Sequence, residues 1–150
     1  MRGAFGLPQV LLILLFVGGI VTVTMKYASL GAKHYADSYT REQAELFMQS
    51  ATEAALLRIG AYDRSDGSCL NSVIVDSPDG KFQAAVAIER YYLADGSGCN
   101  NGVSVTAIQT PESHGMVIMK VVVDSTDPAT DSTLKVGHPI HLVRRSLQRP

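Results

Sequence analysis

The chain has 150 residues, a formal net charge of −1 and a sequence pI of about 6.4. This length suits one modest folded domain, and the balanced charge excludes the strongly basic surface typical of proteins that bind nucleic acids. The charge also gives no reason to expect strong electrostatic attraction to a membrane surface. We therefore expect no nucleic-acid partner.

The first apolar stretch, residues 5–25, contains no charged residue and only Gln9, Thr22 and Thr24 as clearly polar side chains. A helix of about 20 residues crosses a bilayer core of about 30 Å, so this stretch is long enough to span a membrane. Pro8 stands near its start, where a missing backbone N–H costs little. The stretch fits a cleaved secretion signal, a plain membrane anchor, or a helix that assembles with other subunits.

Residues 26–62 continue the helical pattern as an amphipathic stem that is rich in Ala, Leu, Glu, Gln and Met. Apolar side chains recur at spacings of three and four residues and predict one buried stripe. The stripe consists of Ala44, Phe47, Met48, Ala51, Ala55 and Ile59. The apolar stretch and the stem together predict one helix from Gln9 to Ile59, ending near Gly60.

Residues 63–150 change to short apolar runs separated by polar, Gly-containing turns. The runs predict strands at residues 71–76, 81–93, 103–108, 116–124 and 134–143, followed by a frayed tail at 144–150. In the second run, Phe82, Ala84, Val86 and Ile88 fall on one face, as in a strand, although the alanine content of the run also fits a helix. The run 116–124 is apolar on both faces apart from Lys120, which predicts a central strand. We expect an α+β fold in which a small antiparallel sheet, joined by hairpins, packs on the stem.

Two cysteines, Cys69 and Cys99, lie in polar, Gly-containing segments. Free cysteines are usually buried as small hydrophobic residues, so loop cysteines favour a disulfide formed in an oxidising compartment. Neither cysteine has the close Cys or His neighbours that a metal site needs.

No segment carries a recognisable catalytic pattern. His138 and His141 are three apart and would face opposite sides of a strand, and Asp63 and Asp66 do not complete a calcium loop. We therefore predict no catalytic residue, no metal and no cofactor, and we expect the protein not to be an enzyme.

The start of the chain has a short basic leader, residues 1–4, then a small residue before Phe and an uncharged helix, in the order Gly3-Ala4-Phe5-Gly6-Leu7-Pro8-Gln9-Val10. With the stem and the disulfide-bearing sheet domain, this pattern resembles type IV pilins and the pseudopilins of type II secretion. The resemblance implies cleavage between Ala4 and Phe5 by prepilin peptidase and methylation of the new Phe5 amine. It also implies one span of the bacterial inner membrane, with the C-terminal domain in the periplasm or on an extracellular filament.

The same resemblance assigns Phe5, Leu7, Gln9 and Leu11 to the assembly helix. The implied partners are other pilin or pseudopilin subunits and the inner-membrane assembly platform. Gln9 stands where most family members carry Glu, whose proposed role is to pair with the amino terminus of a neighbouring subunit. Gln can form hydrogen bonds but cannot neutralise a buried charge. This difference implies a minor subunit, in a tip or initiating position.

Two other interpretations remain open. A secreted protein could be cut after Ser29-Leu30-Gly31, which would leave Ala32 as its first residue. A single-pass anchored binding domain would keep Met1. The amino-terminal residue of the mature protein distinguishes these interpretations from processing at Phe5.

Overall fold

The structure, a computed structural model, describes residues 6–94, 98–109, 115–127, 132–133, 136 and 138–149. The chain divides into two compact units, residues 1–39 and residues 40–150. The first unit contains the N-terminal part of a helix, and the second contains the rest of that helix together with the β-sheet.

One helix, α1, runs over Gly6–Ala61 and therefore extends slightly beyond the predicted limits at both ends. Gly60 does not end it: the last helical residue is Ala61, and the Tyr62 N–H still donates to the Ile59 carbonyl (3.4 Å). The helix continues through Ser38 and Thr40 because neither residue interrupts a long run of good helix formers.

In the second unit, α1 packs its apolar stripe against the sheet, as predicted. Five of the six stripe residues are buried: Ala44, Met48, Ala51, Ala55 and Ile59. The sixth, Phe47, is partly buried and stacks on Phe82, with ring centroids 6.2 Å apart. The alanines matter here because their small side chains let the helix backbone approach the sheet closely.

Seven strands follow α1 among the described residues: β1 Ser72–Asp76, β2 Gln83–Leu93, β3 Ser104–Ala107, β4 Met116–Asp124, β5 Thr126–Asp127, β6 Ser132–Thr133 and β7 His141–Gln148. The main sheet has the order β1-β2-β4-β7, with β3 also paired to β2. Strands β5 and β6 form a separate two-stranded ribbon. The predicted α+β class is confirmed, and β4 lies between two neighbours, as its apolar sequence predicted.

The pairing of β3 differs from the prediction of an entirely antiparallel sheet. Strands β1 and β4 each pair with β2 in antiparallel fashion, and β7 pairs with β4 in the same way. Strand β3, in contrast, runs parallel to β2. Strand β3 pairs with residues 90–93 of β2, whereas β1 pairs with residues 83–87. Because β4 occupies the other side of β2, β1 and β3 follow one another along the same edge.

A β-bulge at Glu89 changes which residues of β2 face the core. The β2–β4 register shifts between Ile88 and Arg90, so one residue of β2 has no partner on β4. Before the bulge Ala84, Val86 and Ile88 are buried, as predicted; after it, the buried position moves to Tyr91. The Tyr91 hydroxyl donates to the Leu70 carbonyl (2.8 Å), which satisfies the one polar group that this ring brings inside.

The last strand begins later than predicted. We expected a strand at 134–143 and a frayed tail at 144–150, but β7 covers His141–Gln148. Residues 134, 135 and 137 lie outside the described residues. The Ser125 N–H donates to the Ile140 carbonyl (3.0 Å), which aligns the following residues with β4. All eight residues of β7 then have a partner on β4, so the tail is ordered by pairing that its own sequence does not reveal.

Candidate functional site: an exposed apolar helix segment

The first unit presents an apolar surface that it does not bury. The apolar side chains of α1 from Val10 to Val23 are exposed, and the least covered of them, Leu15, is 79% exposed. The most apolar 18-residue window of the helix has a mean hydropathy of 2.1, and none of it is buried. An apolar surface this large is typical of contact with a membrane or with other proteins. By length and composition the helix can cross a membrane.

The hydroxyl groups in and next to this segment bond to the helix itself. Thr22 donates to the Gly19 carbonyl (2.8 Å), Thr24 to the Val21 carbonyl (2.9 Å) and Ser29 to the Lys26 carbonyl (2.9 Å). Without such bonds a hydroxyl would be costly to bury in hydrocarbon or against an apolar partner. The three bonds therefore make the segment compatible with apolar surroundings along its C-terminal half.

One face of the segment has a notch at Gly19. A side chain at Gly19 would meet no atom within 4 Å, and the same is true of Gly18. Gly19 lies in a shallow groove whose other lining residues follow helical spacing: Leu12, Leu15, Phe16, Ile20 and Val23. Gly18 is not among them. A small residue between bulky ones lets a second helix approach closely, so this face is a candidate helix-packing surface.

The predicted processing and assembly residues are only partly visible. Ala4 and Phe5 lie outside the described residues. Leu7 belongs to α1, but its side chain is not described. Gln9 and Leu11 are exposed on the first turns of the helix, and residues two apart point to different sides of it. The structure therefore does not bring these residues together into one site, and their roles remain predictions.

The second unit contains the disulfide predicted from the loop cysteines. Cys69 and Cys99 are joined, with their Cα atoms 5.5 Å apart. The bond connects the segment that follows α1 to the segment that precedes β3. A disulfide of this kind indicates an oxidising compartment.

Asparagine side chains reinforce the disulfide. Asn100 Nδ2 donates to the Asp66 carbonyl (2.9 Å), and Asn101 Nδ2 donates to the Cys69 carbonyl. Gly67 has a φ of +76°, and a Cβ placed there would stand 2.6 Å from Asn100 Nδ2. Sequence reasoning missed this contact, although the Asp66-Gly67 pair is a common turn signal.

Two acidic side chains in turns have lowered pKa values. Hydrogen bonds from the Ser68 side chain and backbone hold the pKa of Asp66 below its usual value. The Ser77 hydroxyl, followed by Lys81, does the same for Asp79 in the turn between β1 and β2. Both residues are exposed, and their carboxylates act as turn-forming hydrogen-bond acceptors.

The described residues contain no group of three or more His, Cys, Asp or Glu side chains that could hold a metal ion. His141 contacts Asp124 across β7 and β4, and His138 precedes that strand. The prediction that both histidines lie on one strand is therefore wrong.

No protein-family model matches the chain, and no curated protein and no solved structure matches it either. What stands is an α+β protein with a helix able to span a membrane and a disulfide that indicates an oxidising compartment.

Proposed function

We propose that the protein is a minor subunit of a filament of the type IV pilus or type II secretion pseudopilus kind. One observation carries the proposal: the exposed apolar segment and the amphipathic segment that packs on the sheet belong to the same helix, Gly6–Ala61. A simple anchor needs only the first segment. A filament subunit uses the first to pack against its neighbours and the second to present a folded domain.

In this proposal the apolar segment has two successive environments. It first lies in the bacterial inner membrane, with the disulfide-bearing domain in the periplasm, and it then packs among the helices of other subunits. Prepilin peptidase cleaves the Ala4–Phe5 bond, the new amine is methylated, and the inner-membrane assembly platform moves the subunit into the filament. Phe5, Leu7 and Leu11 would supply apolar contacts near the start of the helix.

Gln9 gives the proposed subunit a particular place. An acidic side chain buried in a helix bundle needs a cationic partner, whereas an amide does not. A subunit with Gln at this position can therefore lie where no charged amino terminus of a neighbour has to be neutralised. This supports a tip or initiating position rather than the repeating position of a major subunit.

The work proposed for the protein is mechanical and associative, and no catalytic step is assigned to it. The helix provides attachment to neighbours, and the sheet domain provides the surface that faces the periplasm or the outside.

The mature amino terminus tests the proposal. We expect the intact mass of the membrane-derived protein from its native host to correspond to a chain that starts at Phe5 and carries one added methyl group. Deleting the host's prepilin peptidase should restore residues 1–4. A mature chain that keeps Met1 would indicate an anchored binding domain, and one that begins at Ala32 would indicate a cleaved secretion signal. Either result would refute the filament proposal.

Substitutions at Gln9 test whether the subunit occupies a tip or initiating position in the filament. If the subunit occupies a tip or initiating place, filaments should still assemble with Gln9→Glu, but their length should change, as measured by electron microscopy. A matched Gln9→Leu variant separates the effect of the acid from that of losing the amide. Unchanged filaments in both variants would show that Gln9 has no special role.

A further inference from the structure

The two open edges of the main sheet carry complementary surfaces. Strand β1 forms one edge and β7 forms the other in the order β1-β2-β4-β7. Among the described residues, neither edge is paired with a further strand on its outer side. Unpaired strand edges are places where another chain can add a strand, unless charges or bulges prevent it.

Alternate residues of β1 direct their backbone N–H and C=O groups towards the open edge of the sheet. The Ser77 N–H donates to the Phe82 carbonyl (2.9 Å), and the Ile88 N–H donates to the Asn71 carbonyl (2.8 Å). Odd-numbered residues at β1 therefore bond to β2, and the even-numbered residues direct their backbone groups to the open edge. These outward residues are Ser72, Ile74 and Asp76.

The same reasoning applies to β7. The Ser125 N–H donates to the Ile140 carbonyl (3.0 Å), so even-numbered residues of this strand bond to β4. The odd-numbered residues His141, Val143 and Arg145 direct their backbone groups outward, and their side chains are exposed on the sheet face opposite α1. Ile74 on β1 is 60% exposed on that same face, and Val143 is 50% exposed.

The paired registers place these residues in rows across the sheet. One row consists of Ile74, Ala85, Val122 and Val143, and it is apolar from edge to edge. The next row consists of Asp76, Gln83, Asp124 and His141. Each row thus ends at β7 with a side chain that suits the residue at which it begins on β1: Val143 suits Ile74, and His141 suits Asp76.

We propose that the β7 edge of one copy of this chain pairs with the β1 edge of a second copy, so that the two sheets become continuous. The strands run antiparallel in this arrangement, because β1 and β7 alternate in direction through β2 and β4. Continuing the rows sets Ile74 of the second copy opposite Val143, Asp76 opposite His141, and Ser72 opposite Arg145. All three pairs use outward backbone groups on both strands.

Charge disfavours pairing between the β7 edges of two copies. Strand β7 carries Arg144 and Arg145, so two β7 strands overlapped along their length would bring like charges close together. Strand β1 carries no basic residue and ends in Asp76. The pairing is head to tail, and an interface of this kind gives rings or open assemblies rather than two-fold dimers.

The contact between sheets does not depend on the proposed function of the protein. It requires several copies side by side, which fits an initiating group of subunits better than a single tip subunit.

Cysteine cross-linking in native membranes tests the contact. The full chain carrying Ile74→Cys and Val143→Cys should form disulfide-linked ladders of three or more subunits on mild oxidation. A matched control, Ile74→Cys with Leu147→Cys, moves the second thiol four residues along β7, or about 13 Å, and should cross-link several-fold less. Peptide mapping should show the 74–143 linkage together with the native 69–99 bond.

Coexpression of the two single variants with different tags decides the case if the double variant mispairs with Cys69 or Cys99. A mixed 74–143 dimer supports the proposal. Equal cross-linking in the control, only 74–74 or 143–143 linkages, a linkage from position 143 to a different protein, or no linkage would overturn it. A Phe5 amino terminus without the 74–143 linkage would leave the proposed function intact and refute only the contact between sheets.

Discussion

Gly67 offers the sharpest test of how the disulfide region is held together. Its backbone has a φ of +76°, and a Cβ there would stand 2.6 Å from Asn100 Nδ2. Gly102 is a matched control, because its φ is +81° but a Cβ there would meet no atom within 4 Å. Replacing each by alanine therefore imposes the same backbone strain, and only Gly67→Ala also disturbs a neighbour.

The expected losses in the free energy of unfolding come from backbone strain and from one broken hydrogen bond. A left-handed backbone costs an L-residue about 1–2 kcal/mol, so Gly102→Ala should lower the free energy of unfolding by that amount. Gly67→Ala should add the loss of the Asn100–Asp66 hydrogen bond, about 1 kcal/mol, because Asn100 must move away from the new methyl group. We expect a total of about 2–3 kcal/mol for Gly67→Ala.

The assay is urea unfolding of the full chain in detergent micelles, followed by circular dichroism. With a denaturant slope of about 2 kcal/mol per molar urea, the two variants should differ in midpoint by about 0.5 M. Asn100→Ala completes the comparison: once this side chain is absent, Gly67→Ala should cost no more than Gly102→Ala. Equal losses for the two glycine variants in the wild-type background would refute the proposed Gly67–Asn100 contact.

Three further predictions concern other parts of the chain. Replacing both Cys69 and Cys99 by alanine should lower the free energy of unfolding by about 3.7 kcal/mol, because the closed segment regains freedom when unfolded. Reductant should have no effect on this variant, and a loss near zero would contradict the entropic argument. Gly19→Leu should reduce assembly into filaments far more than Gly18→Leu, as counted by immunogold labelling, because of the two glycines only Gly19 lies in the apolar groove. Equal effects of the two variants would show that the groove does not take part in helix packing. The pKa of Asp79 is lowered on folding, so the stability contributed by its carboxylate is present above pH 3.8 and is lost as the pH falls through the lower pKa of the folded state. Asp79→Asn should therefore reduce the loss of stability at acid pH, as measured by urea unfolding at a series of pH values. An unchanged loss at acid pH would show that the turn does not depend on this charge.

Much of the architecture follows from local patterns in the sequence. The 3.6-residue period of Ala44, Ala51 and Ile59 identifies the buried side of α1 because every turn of a helix repeats the same geometry. Alternation likewise places Val86 and Ile88 in the core. Polar, Gly-containing surroundings were enough to predict the disulfide of Cys69 and Cys99.

The errors arise where a strand's partner decides the outcome. The alternation of β3 is the same whether the strand runs parallel or antiparallel to β2, so its direction could not be predicted. Because of the bulge at Glu89, Tyr91 rather than Arg90 faces the core, and no residue type at this point of the sequence indicates a bulge. The ordered region at 144–148 depends on open pairing positions on β4. Similarly, the sequence alone does not show which of the adjacent residues Gly18 and Gly19 forms the notch, because this depends on which face the neighbouring bulky residues share.

The position of the disulfide also determines how tension would travel through the domain. A pull between α1 and β7 enters the sheet domain after Ala61 and reaches Cys69 before any strand. Once α1 is pulled off the sheet, the covalent path continues through the bond to Cys99, 30 positions further along the chain, so β1 and β2 lie inside a closed ring that this path bypasses. About 100 Å of chain, at roughly 3.3 Å per residue, cannot be drawn out while the bond is intact. The ring thus keeps the backbone of these two strands from being extended when the protein is pulled by its ends.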